Sequence, residues 1–137
     1  MGMKFSPLAA IHRGNVAQLR VAWTFRVGDM YDPKGKGGRR SSLQTTPLFV
    51  GGTLYASTPS GRVVALDPEK GTDRWSFDPK SDVQAGWGDF ANRGVASWVD
   101  RATGRRRIFV ATIDARLCAV DAATGAVKWE VHLARVS

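Results

Sequence analysis

One short segment occurs twice in the sequence, and this limits the chain to folds built from stacked copies of one unit. ALDPEKGTDRW, residues 65–75, returns as AVDAATGAVKW, residues 119–129, in the shared frame Ala-x-Asp-x-x-x-Gly-x-x-x-Trp. A fixed long period is the signature of repeat architectures. The offset of 54 residues holds without a gap over about 27 residues, and it relates Tyr55 to Phe109, Thr58 to Thr112, Arg62 to Arg116, Asp67 to Asp121, Gly71 to Gly125 and Trp75 to Trp129.

A third, partial copy lies upstream. LRVAWTF, residues 19–25, is similar to the segments around the two repeated tryptophans, and Trp23 precedes Trp75 by 52 residues. The chain therefore holds the end of one unit, one whole unit and most of another.

The whole unit contains four short apolar segments separated by turn residues. PLFV is followed by Gly51-Gly52 and TLYAST, then by PSG and RVVALD, then by PEKG and DRWSFD. Paired glycines between apolar segments indicate a tight hairpin. Helix signals are nearly confined to NVAQL, residues 15–19. Four-stranded antiparallel units at this period predict an all-β fold, an incomplete β-propeller with fewer than three blades in this chain.

The blade boundaries follow from the repeat. We expect residues 1–30 to form the end of a first blade and residues 41–80 to form a second blade. Residues 81–104 are predicted to connect it to a partial third blade at residues 105–133.

The repeated frame has a structural explanation. The small Ala65 belongs on an inner strand, where neighbouring sheets crowd. Asp67 follows at the strand end, where a carboxylate accepts backbone N–H groups of the turn. Gly71 suits a turn position with positive φ, and Trp75 offers a flat apolar face and an indole N–H for contacts between blades. We therefore interpret the frame as an architectural device that joins blade to blade.

Composition excludes several classes of site. The chain has 137 residues, one cysteine and two histidines, too few for an internal disulfide or a usual structural zinc site. It contains no P-loop, no GxSxG and no GxGxxG motif, and no apolar run of 18 residues. The N-terminus lacks a long apolar region, so no signal peptide is predicted.

The net charge of +8 suggests a nucleic acid as a possible binding partner. The positive charge is scattered, with clusters at Arg39-Arg40 and at residues 105–107, and no nucleic-acid motif accompanies it. We interpret it as solvated loop charge and expect no nucleic acid partner.

The chain resembles the quinoprotein dehydrogenases, which use pyrroloquinoline quinone. The second repeat carries the whole tryptophan-docking motif of that family, Ala-x-Asp-x-x-Thr-Gly-x-x-x-Trp, whereas the first has Lys70 in place of the threonine. KFSPLAAIHRGNVAQLRVAWTFRVGD and LQTTPLFVGGTLYASTPSGRVVALDPEKG look like the opening of the family's propeller and its next blade. GDFANRGVASW and RRRIFVATIDARLCAVDAATG are similar to the branch named for membrane-type glucose dehydrogenase.

This resemblance implies a function for the full-length parent. Such an enzyme oxidises a sugar or alcohol hydroxyl by hydride transfer to pyrroloquinoline quinone beside a calcium ion, with an aspartate as base. A quinone or a cytochrome then accepts the electrons. The family works in the periplasm or on the periplasmic face of the inner membrane, which is the localisation we expect.

Two residues are implied as cofactor ligands. Arg93, in NRGV, matches an arginine that contacts the quinone, and a guanidinium fork can hold a carboxylate at two points. Gln44, before TTP, stands where the family often has a glutamate or glutamine near the quinone. Asp89 is left out, because a carboxylate there would repel those of the cofactor. The adjacent cysteines of the alcohol-type members are missing from GWGDFANRG, and Cys118 is expected to be a small buried residue.

The length implies a fragment, since the family's propeller has eight blades in a closed ring. The catalytic base and most calcium ligands are expected beyond Ser137, and no metal ligand is assigned here. The remaining blades are thus expected partners, and the chain alone is expected to be inactive and marginally folded. Two alternatives stay open: a non-enzymatic propeller scaffold for protein partners, and a nucleic-acid-binding module.

Overall fold

The computed structural model describes residues 7–29, 41–82 and 90–134 and shows two four-stranded antiparallel sheets. The predicted all-β class and the four predicted strands of the second blade are confirmed. In the described ranges the helical structure is one 3-10 turn, Val16–Gln18, and no helix is long and apolar enough to cross a membrane. The first sheet contains β1 (Leu48–Val50), β2 (Thr53–Ser57), β3 (Val63–Leu66) and β4 (Asp73–Phe77); the second contains β5 (Ala96–Val99), β6 (Arg106–Ala111), β7 (Arg116–Asp121) and β8 (Val127–His132).

Consecutive strands pair in both sheets, in the order β1-β2-β3-β4 and β5-β6-β7-β8. The tightest connection is the two-glycine hairpin between β1 and β2, where Val50 pairs with Thr53. Gly51 and Gly52 have φ of 58° and 69°, the backbone conformation that a two-residue hairpin of this kind requires. The hairpin predicted at this position is therefore present.

The second sheet begins earlier than the sequence indicates. β5 lies inside residues 81–104, the segment predicted to connect two blades, and it pairs along its length with β6. The second sheet therefore has four strands rather than the partial blade expected from residue 105 onward. The β5–β6 turn spans residues 100–105, so it lacks the short Gly-Gly signal that identified the β1–β2 hairpin.

The core lies between the two sheets. The central strand β3 is buried at every position, and most of β7 is buried as well. Ala65 and Ala119 are both fully buried, which confirms that the alanines of the frame lie where the sheets crowd. The core cluster joins Tyr55, Val63, Ala65, Ile108, Val110, Cys118, Val120 and Ala122.

The repeated tryptophans lie on the turn glycine of the next sheet. Trp75 of β4 packs against Gly125 so closely that a Cβ on that glycine would lie 2.7 Å from the indole ring. The indole Nε1 donates to the Ala122 carbonyl at 3.0 Å. Trp23 does the same one unit earlier, covering Gly71 and donating to the Pro68 carbonyl at 3.0 Å. The frame therefore joins blade to blade as predicted.

The aspartates of the frame shape the turns that carry those glycines. Asp121 Oδ1 accepts the backbone N–H groups of Ala123 and Thr124 at 3.0 and 3.2 Å. Asp67 accepts two equivalent bonds, both 3.0 Å long, and a hydrogen bond from Arg74 together with those N–H groups lowers the pKa of Asp67. Gly71 and Gly125 then have φ of 67° and 73°, where a Cβ is unfavourable.

Arginine makes a second contact between units, near the β6–β7 turn. Arg116 donates to the Pro79 carbonyl at 2.8 Å and forms ion pairs with Asp114 at 2.7 Å and Glu130 at 3.2 Å. The arginine one repeat earlier, Arg62, donates to the Val27 carbonyl in the same way. This arginine contact was not predicted from the sequence.

The last described strand has an uncovered face. Every residue of β8 is exposed, and Trp129 is 37% exposed. The Trp129 and Phe109 rings are tilted at 45° with centroids 5.8 Å apart, as the Trp75 and Tyr55 rings are tilted at 49° with centroids 5.8 Å apart. The two tryptophans therefore share their contacts within a blade and differ in the contact with a following blade.

This difference allows a matched test of the docking contact. Trp75→Phe removes the bond to Ala122 and part of the indole face, so we expect a loss of about 1–2 kcal/mol in the free energy of unfolding. Trp129→Phe, which keeps the contact with Phe109 and loses no contact with another described sheet, should cost less than about 0.5 kcal/mol. Urea unfolding followed by far-ultraviolet circular dichroism measures both, and equal losses would contradict a docking role for Trp75.

The ion pair between Arg116 and Asp114 predicts that the free energy of unfolding falls at acid pH. Burial raises the pKa of Asp114, but hydrogen bonds from Arg116 and Thr112 outweigh it and lower that pKa to about 2. A lowered pKa stabilises the fold above the unfolded value near 3.8, and this stability is lost as the pH falls toward 2. Asp114→Asn should therefore cost on the order of 2 kcal/mol at pH 7 and flatten the fall in unfolding free energy between pH 4 and 2. An unchanged slope in that window would show that Asp114 is not the titrating group.

Candidate functional site

The structure brings the segments of both predicted cofactor residues together. Ser42 N–H donates to the Phe90 carbonyl at 2.8 Å, and Thr46 N–H donates to the Arg93 carbonyl at 3.0 Å. Residues 41–46 lead into β1 and residues 90–94 lead into β5, and the two segments run parallel. The contact therefore joins the entrances of two neighbouring blades.

Arg93 lies at an open cleft of about 690 Å³ beside this contact. Its side chain is exposed, and it makes no hydrogen bond or ion pair with any described residue. The other described residues that line the cleft are uncharged and largely apolar, among them Pro47, Val95, Phe109 and Leu117. The cleft thus combines one cation with apolar walls.

The backbone around Arg93 is tightly held, although its side chain is exposed. Asn92 Oδ1 accepts the Gly94 N–H at 3.1 Å, and Asn92 Nδ2 donates to the Ala111 carbonyl of β6 at 2.8 Å. Gly94 has a φ of 140°, and a Cβ there would lie 3.0 Å from the Thr46 carbonyl oxygen. Asn92 is therefore a positioning residue for Arg93. The sequence reasoning missed it, although it directly precedes the arginine in the quoted NRG segment.

Gln44 is placed near this site but outside the cleft lining. It is exposed, and its Nε2 donates to Ser42 Oγ at 3.2 Å. The next residue is fixed differently, because Thr45 Oγ1 bonds to Ser57 Oγ at 3.0 Å and accepts the Ser57 N–H at 3.2 Å. Contact of Gln44 with a cofactor stays a prediction.

The remaining residues considered from the sequence have different outcomes. Asp89 lies outside the described residues. Cys118 is fully buried, with Sγ 3.9 Å from Glu130 Oε2, and burial raises the pKa of its thiol. It is thus a core residue, as predicted. The described parts of the chain contain no group of three or more His, Cys, Asp or Glu side chains that could hold a metal ion.

The cleft is suited to binding rather than to proton transfer. Its described lining has one charged group, Arg93, and no carboxylate or imidazole. An exposed guanidinium at an apolar wall favours a flat ligand that carries carboxylates, because the fork can hold two oxygens while the wall contacts a ring. A tricarboxylated planar quinone has this chemistry.

The known proteins that are similar to this chain belong to one family. A sequence model matches residues 1–130. It is described as the β-propeller domain of glucose, ethanol and alcohol dehydrogenases that depend on pyrroloquinoline quinone (PQQ). Quinohemoprotein alcohol dehydrogenase ADH IIB of Pseudomonas putida is 37% identical over 129 residues, covering 92% of this chain and 16% of the relative. Quinoprotein glucose dehydrogenase of Escherichia coli K12 is 36% identical over 133 residues, covering 90% of this chain and 16% of the relative.

Solved structures agree on the fold. A europium-containing methanol dehydrogenase superposes with a TM-score of 0.73 at 29% identity, over 93% of this chain and 20% of that protein. The quinohemoprotein alcohol dehydrogenase ADHIIG of Pseudomonas putida HK5 superposes with a TM-score of 0.61 at 38% identity, over 69% of this chain and 13% of that protein.

These similarities cover most of the chain, which spans about one sixth of the length of the curated relatives it matches. The similar enzymes include glucose and alcohol dehydrogenases at nearly the same identity, so they do not separate the two types. Because the family model matches 130 of the 137 residues, the chain belongs to the PQQ-dependent quinoprotein dehydrogenases, within their β-propeller domain.

Proposed function

We propose that this chain contributes a cofactor-binding part of a dehydrogenase that oxidises a sugar or alcohol hydroxyl with pyrroloquinoline quinone. The observation that carries the proposal is the exposed guanidinium of Arg93 at an apolar cleft, without an ion pair among the described residues and on a backbone fixed by Asn92 and Gly94. The family membership supports the identity of the cofactor.

The residues of the cleft have separate tasks in this proposal. Arg93 binds a cofactor carboxylate, and the Thr46 bond to its carbonyl keeps the two blade entrances together. The apolar wall, which includes Val95 and Phe109, contacts the ring system and excludes water from it. When bound, the quinone supplies a carbonyl that accepts a hydride from the substrate carbon. Gln44 would approach the same ligand from the parallel segment.

Catalysis needs groups that the described cleft lacks. Proton removal from a hydroxyl requires a base within hydrogen-bond reach, and Arg93 cannot serve because an arginine stays protonated. We propose that an aspartate base and a calcium ion are held by other blades of the longer enzyme. The 137-residue chain alone is then able to bind the cofactor but is inactive.

The type of substrate and the location remain parts of the proposal. Relatives named as acting with cytochrome c or with quinone support a cytochrome or a quinone as electron acceptor. We favour the glucose-type branch, since GWGDFANRG carries no adjacent cysteines. We also propose a periplasmic location or the periplasmic face of the inner membrane.

A titration with pyrroloquinoline quinone tests the binding role of Arg93. Quenching of the five tryptophans is expected to saturate, and Arg93→Ala should weaken binding about ten- to a hundredfold, because a charge-assisted pair contributes about 1.5–3 kcal/mol. Arg93→Lys should fall between the two, since lysine keeps the charge but loses the fork.

Arg101→Ala is the matched control, because Arg101 is an exposed arginine in the β5–β6 turn, at the other end of the sheet. It should bind the quinone like the unchanged protein. Equal affinity of Arg93→Ala would contradict the assignment. A chain that is folded by circular dichroism yet shows no saturable quenching would favour the non-enzymatic scaffold.

A further inference from the structure

A second cavity lies between the two sheets at the opposite end from Arg93. The β1–β2, β3–β4, β5–β6 and β7–β8 turns meet at this end, whereas Arg93 precedes β5 and lies at the other end. The cavity has a volume of about 780 Å³ and is open to solvent. We call it the rim groove, and its charged lining residues are Arg74, Arg105, Arg106, Asp121 and Lys128.

The charge of the rim groove is strongly unbalanced. Four cationic side chains line it together with the single carboxylate of Asp121. Lys128 pairs with that carboxylate at 3.6 Å, and Arg74 pairs with Asp67 at 3.0 Å. Arg105 and Arg106 form no ion pair within the described residues. An excess of positive charge in a concave surface concentrates the field there and attracts anions.

Arg106 begins β6 and Arg105 directly precedes it in the β5–β6 turn, so both arginines reach the groove from the side of the second sheet. Arg106 Nη1 donates to Ser97 Oγ at 3.2 Å, which orients the side chain. Its Nε lies 3.8 Å from where a Cβ on Gly51 would be, so the guanidinium stands beside the β1–β2 hairpin. The side chains of Tyr55 and Trp75 also line the groove and give it an aromatic floor.

We propose that the rim groove binds an acidic segment of a partner protein, independently of the cofactor cleft. Three of its four cations are arginines, whose planar fork holds a carboxylate at two points. A cationic groove that is also lined by Tyr55 and Trp75 fits an extended chain that alternates carboxylates with apolar side chains. Duplex nucleic acid is disfavoured as a sequence-specific partner, because reading base edges needs a helix or ribbon that enters a groove and the described lining of this surface consists of strand ends and turns.

The probe is a fluorescently labelled octaglutamate peptide. Its binding to the whole chain is measured by fluorescence anisotropy at about 50 mM salt, because charge attraction is only weakly screened there. Arg105→Gln/Arg106→Gln should weaken binding at least tenfold. Arg13→Gln/Arg20→Gln removes the same two charges from exposed positions outside the groove and should change affinity less than about twofold. Arg93→Ala should leave peptide binding unchanged, which separates this proposal from the cofactor site.

Three results would overturn the proposal. The first is no peptide binding at low salt by the folded, unchanged chain. The second is equal weakening by the two double variants, which would show that net charge rather than the groove attracts the peptide. The third is preferential binding of a duplex DNA of similar charge, with a larger loss in Arg105→Gln/Arg106→Gln than the peptide shows, which would assign the groove to nucleic acid.

Discussion

An indole ring lying directly on a glycine of the next sheet holds this structure together. Trp75 can approach Gly125 only because the glycine lacks a Cβ, and the turn presents that glycine with positive φ. Asp121 stabilises the turn through its two backbone bonds, and the Ala122 carbonyl accepts both the indole N–H and the Tyr55 hydroxyl. One repeated frame therefore supplies the apolar contact, the hydrogen bond and the turn geometry.

The candidate cofactor site depends on this docking. Arg93 lies on the segment that enters the second sheet, and its carbonyl is held by Thr46 from the segment that enters the first. The relative position of the two sheets thus sets the position of the arginine. Asn92 adds a bond to β6, which couples the same segment to its own sheet. Arg93 is therefore exposed at a blade entrance while its backbone is fixed from both sides.

The sequence predicted the features that depend on local periodicity. The 54-residue repeat identified the blades, and the alternation of apolar segments with Gly-rich turns identified β1 to β4. The role of Trp75 in contacts between blades followed from the chemistry of its side chain. These features are local or repeated, so one sequence contains enough information to predict them.

Features that depend on long-range contacts were missed or left open. β5 has a six-residue turn after it instead of paired glycines, so its pairing with β6 had no short-range signal. Arg116 was matched to Arg62 by the repeat, but its bond to the Pro79 carbonyl spans 37 residues. Asn92 reaches a carbonyl 19 residues away. Such contacts require the arrangement of the sheets, which the residue pattern alone does not contain.

Substitution of the docking glycine is the most direct measurement of the central claim. Gly125 and Gly104 have similar positive φ, 73° and 68°, but only Gly125 lies beneath an indole ring, since nothing lies within 4 Å of a Cβ on Gly104. Gly104→Ala should cost about 1 kcal/mol in the free energy of unfolding, because the only penalty is a Cβ on a residue with positive φ. Gly125→Ala should cost at least about 2 kcal/mol more in urea unfolding, because the added methyl displaces Trp75. Equal losses in the two variants would contradict the account, since they would show that the indole does not need the glycine beneath it.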